Sequence, residues 1–329
     1  MATVEEIKAL LESHVEGDDE RFFSVIIQLA AHAARQGHGR LAQELRRLVD
    51  RAKETTGPAG RGGSTSPIPV TQPRGELAAL LAVSYPKARL DDLVLAADVR
   101  AHLDRVVVEQ RQREKLAARG LQPRRKLLLV GPPGTGKTYT ARALAGELHL
   151  PLFSVLLEGL ITKFMGETAA KLRMVFDGVA RMRGVYLFDE FDALGGERAN
   201  PNDVGEARRT LNSFLQFLEQ DESESILLAA TNHVGLLDRA LFRRFDDIIE
   251  FPLPTERLAI GLMKARLASI GAGKLDWRAA GRAARGLSYA DIAKACDSAA
   301  KDAVLHDRSD VSPKALTAAL VRRRRGKRS

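Results

Sequence analysis

The sequence contains one cysteine, Cys296, and lacks any apolar run long enough to cross a membrane. A lone cysteine cannot form an intrachain disulfide or a cysteine zinc cluster, and its place in a predicted helix indicates a small buried side chain. The amino terminus is acidic, whereas a signal peptide is basic and then apolar. These absences exclude an intrachain disulfide, a cysteine zinc cluster and a long apolar membrane-spanning run, and we expect a cytoplasmic protein.

The positive charge of the chain is concentrated at its carboxyl end. The net charge is +9 over 329 residues, and residues 322–329 predict a basic tail. The basic residues of this tail are Arg322, Arg323, Arg324, Arg325, Lys327 and Arg328. A run of like charge is commonly a solvated segment without fixed structure. A contact with nucleic acid or another acidic partner is the alternative, because phosphate backbones attract such runs.

Composition and apolar periodicity divide the rest of the chain into four segments. Residues 1–53 predict an N-terminal module of three helices, and residues 54–74, rich in Gly, Ser and Pro, predict a flexible linker. Residues 75–254 alternate strand-length apolar runs with helical patterns, which is typical of an α/β domain with helices on both faces of a parallel sheet. Residues 255–321 carry only helical patterns and predict a helical lid.

Five apolar runs of strand length lie in the predicted α/β domain. They are Lys126–Val130, Leu152–Val155, Val185–Asp189, Ile226–Thr231 and Ile248–Phe251. Runs that are apolar throughout indicate strands buried on both faces, as in parallel sheets. The sequence therefore predicts a parallel sheet of five strands.

The first of these strands runs directly into a phosphate-binding loop. Gly131-Pro132-Pro133-Gly134-Thr135-Gly136-Lys137-Thr138 lies between a predicted strand and a predicted helix, which is the context that this motif requires. The backbone N–H groups and the helix N-terminus attract phosphates, Lys137 reaches the β and γ phosphates, and Thr138 ligates Mg²⁺. We expect contacts with ATP from Pro133, Gly134, Thr135, Gly136, Lys137, Thr138 and Tyr139.

Two adjacent carboxylates, Asp189 and Glu190, stand where the third predicted strand reaches the carboxyl edge of the sheet. Asp189 is expected to hold the magnesium shell. Glu190 is then placed to polarise the water that attacks the γ phosphate. An exposed acidic turn is the alternative for such a pair alone, but the phosphate loop upstream favours ATP hydrolysis.

The phosphate loop, combined with Phe188-Asp189-Glu190-Phe191-Asp192, resembles the AAA family of ATPases. Ala229-Ala230-Thr231-Asn232 resembles the family's sensor 1, which implies that Asn232 binds the attacking water or the γ phosphate. Residues 237–246 resemble its second region of homology, which implies that Arg243 and Arg244 are arginine fingers acting on a neighbouring subunit's nucleotide. A surface salt bridge is the alternative for these two arginines.

The resemblance also implies an assembly and a substrate. Arginine fingers that act on a neighbouring subunit imply a homo-oligomer, which in this family is a ring hexamer. Lys163-Phe164-Met165-Gly166-Glu167-Thr168 resembles the first pore loop, which implies that Phe164 grips a polypeptide in the central channel; an ordinary core residue is the alternative. The N-terminal module is expected to recruit a protein substrate or adaptor. Similarity to small bacterial members of the family implies a partner serine protease.

The segment 286–291 resembles the start of the family's lid helix, which implies that it packs near adenine, and Ser288 and Asp291 fit a capping box there. No arginine lies in this segment, which favours the protein-remodelling branch of the family. We therefore expect an ATP-hydrolysing motor that remodels, unfolds or threads proteins. Two alternatives stay open: a nucleic-acid-associated ATPase, suggested by the basic tail, and an ATP-controlled scaffold whose turnover is incidental.

Overall fold

The computed structural model of the protein describes residues 73–160, 167–194, 201–232, 242–271 and 275–325. The predicted N-terminal module, all but the last two residues of the predicted linker 54–74, and Phe164 lie outside these residues. Their roles stay predictions.

A six-stranded sheet with the strand order β1-β3-β4-β5-β2-β6 forms the centre of the described residues. The strands are β1 (Leu81–Ser84), β2 (Lys126–Val130), β3 (Leu152–Val155), β4 (Val185–Phe188), β5 (Ile226–Thr231) and β6 (Asp247–Glu250). Strands β2 to β6 pair in parallel, and β1 pairs antiparallel to β3. The predicted parallel sheet is confirmed, and the ends of its five strands agree to within one residue.

The sixth strand, β1, is one that the sequence pattern does not predict. Leu81 is buried, but Ala82 and Ser84 are exposed. Because β1 lies at the edge of the sheet, it lacks the continuous apolar run that marks the interior strands. Its place is set by backbone pairing with β3, in which Leu81 lies opposite Val155.

Helices connect the strands and then continue to the carboxyl end. The α-helices are α1 (Ala97–Arg111), α2 (Arg113–Ala117), α3 (Lys137–Leu148), α4 (Leu157–Leu160), α5 (Glu167–Arg181), α6 (Pro201–Gln220), α7 (Glu256–Leu267), α8 (Trp277–Ala283), α9 (Tyr289–Leu305) and α10 (Pro313–Arg325). Single 3₁₀ turns lie at Gly75–Ala79, Leu90–Asp92 and Phe191–Leu194. In the described ranges we find no helix that is both long and apolar enough to cross a membrane.

Alternate residues of the sheet are buried against helices on its two faces. In β2, Leu128 and Val130 belong to one apolar core, whereas Leu127 and Leu129 belong to the other, as the two-residue period of a strand requires. The first core includes side chains of α5 and α6, and the second includes side chains of α1 and α3. The prediction of helices on both faces is thereby confirmed.

Helices α7 to α10 bury an apolar cluster of their own, in which Cys296 has no exposed surface. This confirms the predicted burial of the cysteine. The predicted capping box is present at the start of α9, where the Asp291 N–H donates to Oγ of Ser288 at 3.2 Å. The described residues from Pro73 onward form one compact unit, so the domain boundary predicted between residues 254 and 255 stays a prediction.

Helix α10 continues through Arg325, so the predicted basic tail begins inside a helix and not after it. Leu316 and Leu320 are buried in the apolar cluster of α7 to α10 (the lid cluster) and anchor α10 to it. Arginine is a good helix former, and nothing in residues 322–325 would end the helix. The side chains of these four arginines are exposed, and the residues after Arg325 lie outside the described ranges.

Candidate nucleotide site

The phosphate loop connects β2 to α3 at the carboxyl edge of the parallel sheet. The Gly131 N–H donates to the carbonyl oxygen of Thr231 at 3.3 Å, which ties the loop to β5. Gly134 and Gly136 have φ angles of 75° and 106°, in the region that glycine adopts without strain. The loop leads directly into the N-terminus of α3, and this arrangement of backbone N–H groups and helix dipole binds phosphate.

Lys137 lies in the first turn of α3, and only 6% of its surface is exposed. Its Nζ donates to the carbonyl oxygens of Gly131 and Pro132 at 2.7 and 3.1 Å, and to Oδ1 of Asn232 at 2.8 Å. Burial lowers the pKa of Lys137, and the negative charge of Asp189 opposes this shift. The contact with Asn232 brings the end of β5 to the phosphate loop.

The Thr138 hydroxyl and the Asp189 carboxylate meet at the carboxyl end of β4, where Oγ1 of Thr138 donates to Oδ2 of Asp189 at 2.6 Å. Hydroxyl and carboxylate oxygens are ligands that Mg²⁺ prefers, and this ion usually takes its other ligands from phosphates and water. The two side chains therefore fit a magnesium ion that binds together with a nucleotide.

Glu190 follows Asp189 with a φ angle of 52°, and its N–H donates to Oδ1 of Asp189 at 3.0 Å. This left-handed conformation costs a non-glycine residue about 1–3 kcal/mol, and such strain is concentrated at functional sites. The turn leaves Glu190 exposed beside the end of β4. A carboxylate in this place can accept a proton from an attacking water.

A cavity of about 520 Å³ lies between the sheet and the helical lid. It is lined by the predicted residues Pro133, Gly134, Thr135, Gly136, Lys137, Thr138, Tyr139, Asp189, Glu190 and Asn232. The structure thus brings together ten predicted site residues from three separate parts of the chain. The lid closes directly on the loop, because the Ala290 N–H donates to the carbonyl oxygen of Gly134 at 3.0 Å.

Two further parts of the cavity wall are absent from the predicted site residues. They are the segment Asp92, Leu93, Val94 and Leu95 before α1, and the lid residues Leu262, Arg266, Tyr289, Ala290 and Ala293. The first segment carries no recognisable motif. In the second part, Tyr289 and Ala290 belong to the segment 286–291, which was expected near adenine. Nothing in the sequence of α7 singles out Arg266.

Arg243 and Arg244 do not line this cavity. They precede β6, at the amino edge of the sheet, between the partly buried Phe242 and the buried Phe245. Nη1 of Arg244 forms an ion pair with the carboxylate of Glu219 at the end of α6, whereas Arg243 is exposed. Arg244 therefore has the surface salt bridge that was the alternative interpretation.

Comparison with known proteins agrees with the resemblance to the AAA family that the sequence shows. A family model described as "ATPase family associated with various cellular activities (AAA)" matches residues 127–253. The chain is 34% identical over 329 residues to an uncharacterized AAA family ATPase, y4kL, of Sinorhizobium fredii, which covers 99% of this chain and 98% of that protein.

Relatives with names that refer to the proteasome match a shorter region. The chain is 34% identical over 200 residues to the 26S proteasome regulatory subunit 10B homolog A of Arabidopsis thaliana, covering 58% of this chain and 50% of that protein. It is 33% identical over 215 residues to the proteasome-activating nucleotidase of Archaeoglobus fulgidus, covering 63% and 54%. The chain thus spans about half the length of these two relatives.

Proposed function

The chain belongs to the AAA family of ATPases, and from this premise we propose that it is a motor that remodels protein substrates as a ring hexamer. It hydrolyses ATP to ADP and phosphate, as ATPases of this family do. The assembly, the substrates and the individual roles of the site residues are the content of the proposal.

The chain's own residues can account for the hydrolysis. Lys137 and the N-terminus of α3 neutralise phosphate charge, which lowers the barrier to phosphoryl transfer. Thr138 and Asp189 would hold Mg²⁺, and the charge of this ion would stabilise the phosphoryl oxygens in the transition state. Glu190 accepts the proton of the attacking water. Asn232, which is bonded to Lys137, orients the water or the γ phosphate.

The position of Arg243 and Arg244 is the observation that carries the hexamer proposal. The phosphate loop follows the carboxyl end of β2, whereas the two arginines precede the amino end of β6, which pairs with β2 in parallel. A strand of this length spans about 13 Å, so the arginines lie across the sheet from their own phosphate loop. A head-to-tail contact between copies would bring them to a neighbour's nucleotide, and contacts of this kind form a ring when the rotation between copies closes.

Protein substrates are supported by the relatives, two of which have names that refer to the proteasome. We propose that Phe164 grips the polypeptide in the central channel and that the N-terminal module recruits the substrate or an adaptor. A partner serine protease would receive the unfolded chain. The exposed arginines at the end of α10 support a nucleic-acid-associated role as the second candidate. This role predicts that DNA or RNA stimulates hydrolysis and that nucleic-acid binding weakens steeply as salt rises.

Mixing two inactive variants tests whether active sites are shared between subunits. Lys137→Ala removes the phosphate-binding lysine and keeps the arginines, whereas Arg243→Ala/Arg244→Ala keeps an intact phosphate loop. Each variant alone is expected to be inactive. In an equal mixture, about a quarter of the interfaces pair an intact loop with intact arginines, so about a quarter of the wild-type ATPase rate should return.

The control is Arg282→Ala, an exposed lid arginine that should keep the full rate. An inactive mixture together with an active arginine variant would contradict sharing. The rate per subunit should rise with protein concentration, and the particle mass in ATP should correspond to six copies. A monomer with constant specific activity would favour the ATP-controlled scaffold.

Phe164→Ala tests the remodelling part of the proposal. We expect this variant to keep basal ATP hydrolysis and to lose the ATP-dependent unfolding of a model protein with an unstructured tag. Unfolding at the wild-type rate would show that Phe164 does not grip the substrate.

A further inference from the structure

The turn that carries Arg243 and Arg244 is anchored by an aromatic side chain on each side. Phe242 and Phe245 pack in the apolar core that includes side chains of α5 and α6. The Phe245 N–H donates to the carbonyl oxygen of Phe242 at 3.4 Å, which closes the turn. The next residue, Asp246, is polar and exposed, so its place cannot be explained by burial in this core.

Asp246 joins the turn to the start of β2. Its Oδ2 accepts hydrogen bonds from the backbone N–H groups of Arg125 and Lys126 at 2.8 and 2.9 Å. In return, the Asp246 N–H donates to the carbonyl oxygen of Lys126 at 2.8 Å. Hydrogen bonds to a carboxylate are stronger than those between neutral groups. The carboxylate therefore fixes both the distance and the orientation of the turn relative to β2.

The start of β2 also holds the side chain that Arg244 contacts. The guanidinium of Arg125 forms a buried ion pair with Asp221. Asp221 follows Glu219 by two residues, and Glu219 pairs with Arg244. The turn and the partner of Arg244 are thus fixed to the same two residues of β2. Such fixing matters for a catalytic group, because a misplacement of about 1 Å can lower the rate about a hundredfold.

We propose that Asp246 is a positioning residue for Arg243 and Arg244, and that it acts on hydrolysis in the neighbouring subunit. The inference rests on the proposed function, in which these arginines reach a neighbour's nucleotide. Asp246 is not among the described residues that line the nucleotide cavity. Its removal should therefore move the arginines and leave the phosphate loop of its own subunit intact.

Mixing subunits tests this division of roles. We expect Asp246→Ala alone to bind ADP as the wild type does in calorimetric titration and to lower kcat for ATP hydrolysis about a hundredfold. In an equal mixture with Lys137→Ala, which keeps Asp246 and both arginines, about a quarter of the wild-type rate should return. A mixture with Arg243→Ala/Arg244→Ala should stay inactive, because neither variant has well-placed arginines.

Two control variants separate the hydrogen bonds of Asp246 from general stability. Asp246→Asn keeps an oxygen that can accept both N–H groups, and its kcat should stay within about threefold of the wild-type value. Asp247→Ala removes the ion pairs of the adjacent residue with His102 and Arg124. This variant should lower the melting temperature and keep the wild-type kcat.

The possible outcomes distinguish this inference from the proposed function. If Lys137→Ala restores the arginine variant but not Asp246→Ala, then Asp246 acts within its own subunit, and the assignment is wrong although the sites are shared. If it restores neither, then the shared-site proposal fails and the assignment fails with it. A wild-type rate or lost ADP affinity in Asp246→Ala, a hundredfold loss in Asp246→Asn, or an equal loss of kcat in Asp247→Ala would also overturn the assignment.

Discussion

The contact between the lid and the phosphate loop can be tested by adding one methyl group at Gly134. A Cβ atom there would lie 2.7 Å from Oγ of Ser288 and 2.9 Å from Cβ of Ala290. Both distances are shorter than non-bonded contacts allow, so the start of α9 must move away from the loop. Gly120 is the matched control, because its φ of +71° is close to the +75° of Gly134 and nothing lies within 4 Å of its added Cβ.

The two substitutions are expected to lower the free energy of unfolding by different amounts. Alanine in the left-handed conformation costs about 1–2 kcal/mol at either position. At Gly134 the displacement also removes the hydrogen bond from Ala290, which contributes about 1 kcal/mol. Disturbing the Ser288 cap of α9 costs about 1 kcal/mol more. We therefore expect Gly134→Ala to lower the free energy of unfolding by about 2 kcal/mol more than Gly120→Ala does.

Urea unfolding of the full chain measures this difference, and ADP titration measures its consequence for the site. Gly134→Ala should weaken ADP binding, because both the loop and the lid line the cavity, whereas Gly120→Ala should bind ADP as the wild type does. Equal unfolding free energies for the two variants would refute the reasoning, since they would show that α9 does not press on Gly134.

Two further predictions concern groups outside the site. Asp221 forms a buried ion pair with Arg125 and also accepts a hydrogen bond from the backbone N–H of Ser223; Asp221→Ala should therefore destabilise the fold by about 3–5 kcal/mol. Glu224 is the control, because its ion pairs with Arg113 and Arg183 are exposed and its removal should cost under about 1 kcal/mol in urea unfolding. Burial raises the pKa of Cys296 to about 12, so the native thiol should resist a thiol reagent at neutral pH and react once urea unfolds the chain. Rapid labelling of the native protein would contradict the packing of the lid cluster.

Local chemistry explains why much of the fold and site could be read from the sequence. The phosphate loop needs glycines at fixed positions before a helix, and Asp189 and Glu190 need a buried strand before them. Both requirements act over a few consecutive residues, so they are visible as motifs. The capping box of Ser288 and Asp291 is equally local, and it is present as predicted.

Features with weak local signals were missed or misplaced. Strand β1 has one solvent-facing side at the sheet edge, so no continuous apolar run marked it. The basic run was expected to be a tail, but its first four arginines complete α10 because Leu316 and Leu320 anchor that helix. In both cases, contacts with distant elements decided the outcome.

The sequence by itself determined the parallel sheet, the phosphate loop and the carboxylates, because each depends on a short pattern of burial or backbone geometry. Only the tertiary structure decided which surfaces meet. It brings Leu93 and Arg266 to the same cavity, although more than half of the chain separates them. It also places Arg243 at the opposite edge of the sheet from Lys137. These positions depend on how whole helices and strands pack against one another. The spacing of residues along the chain does not predict them.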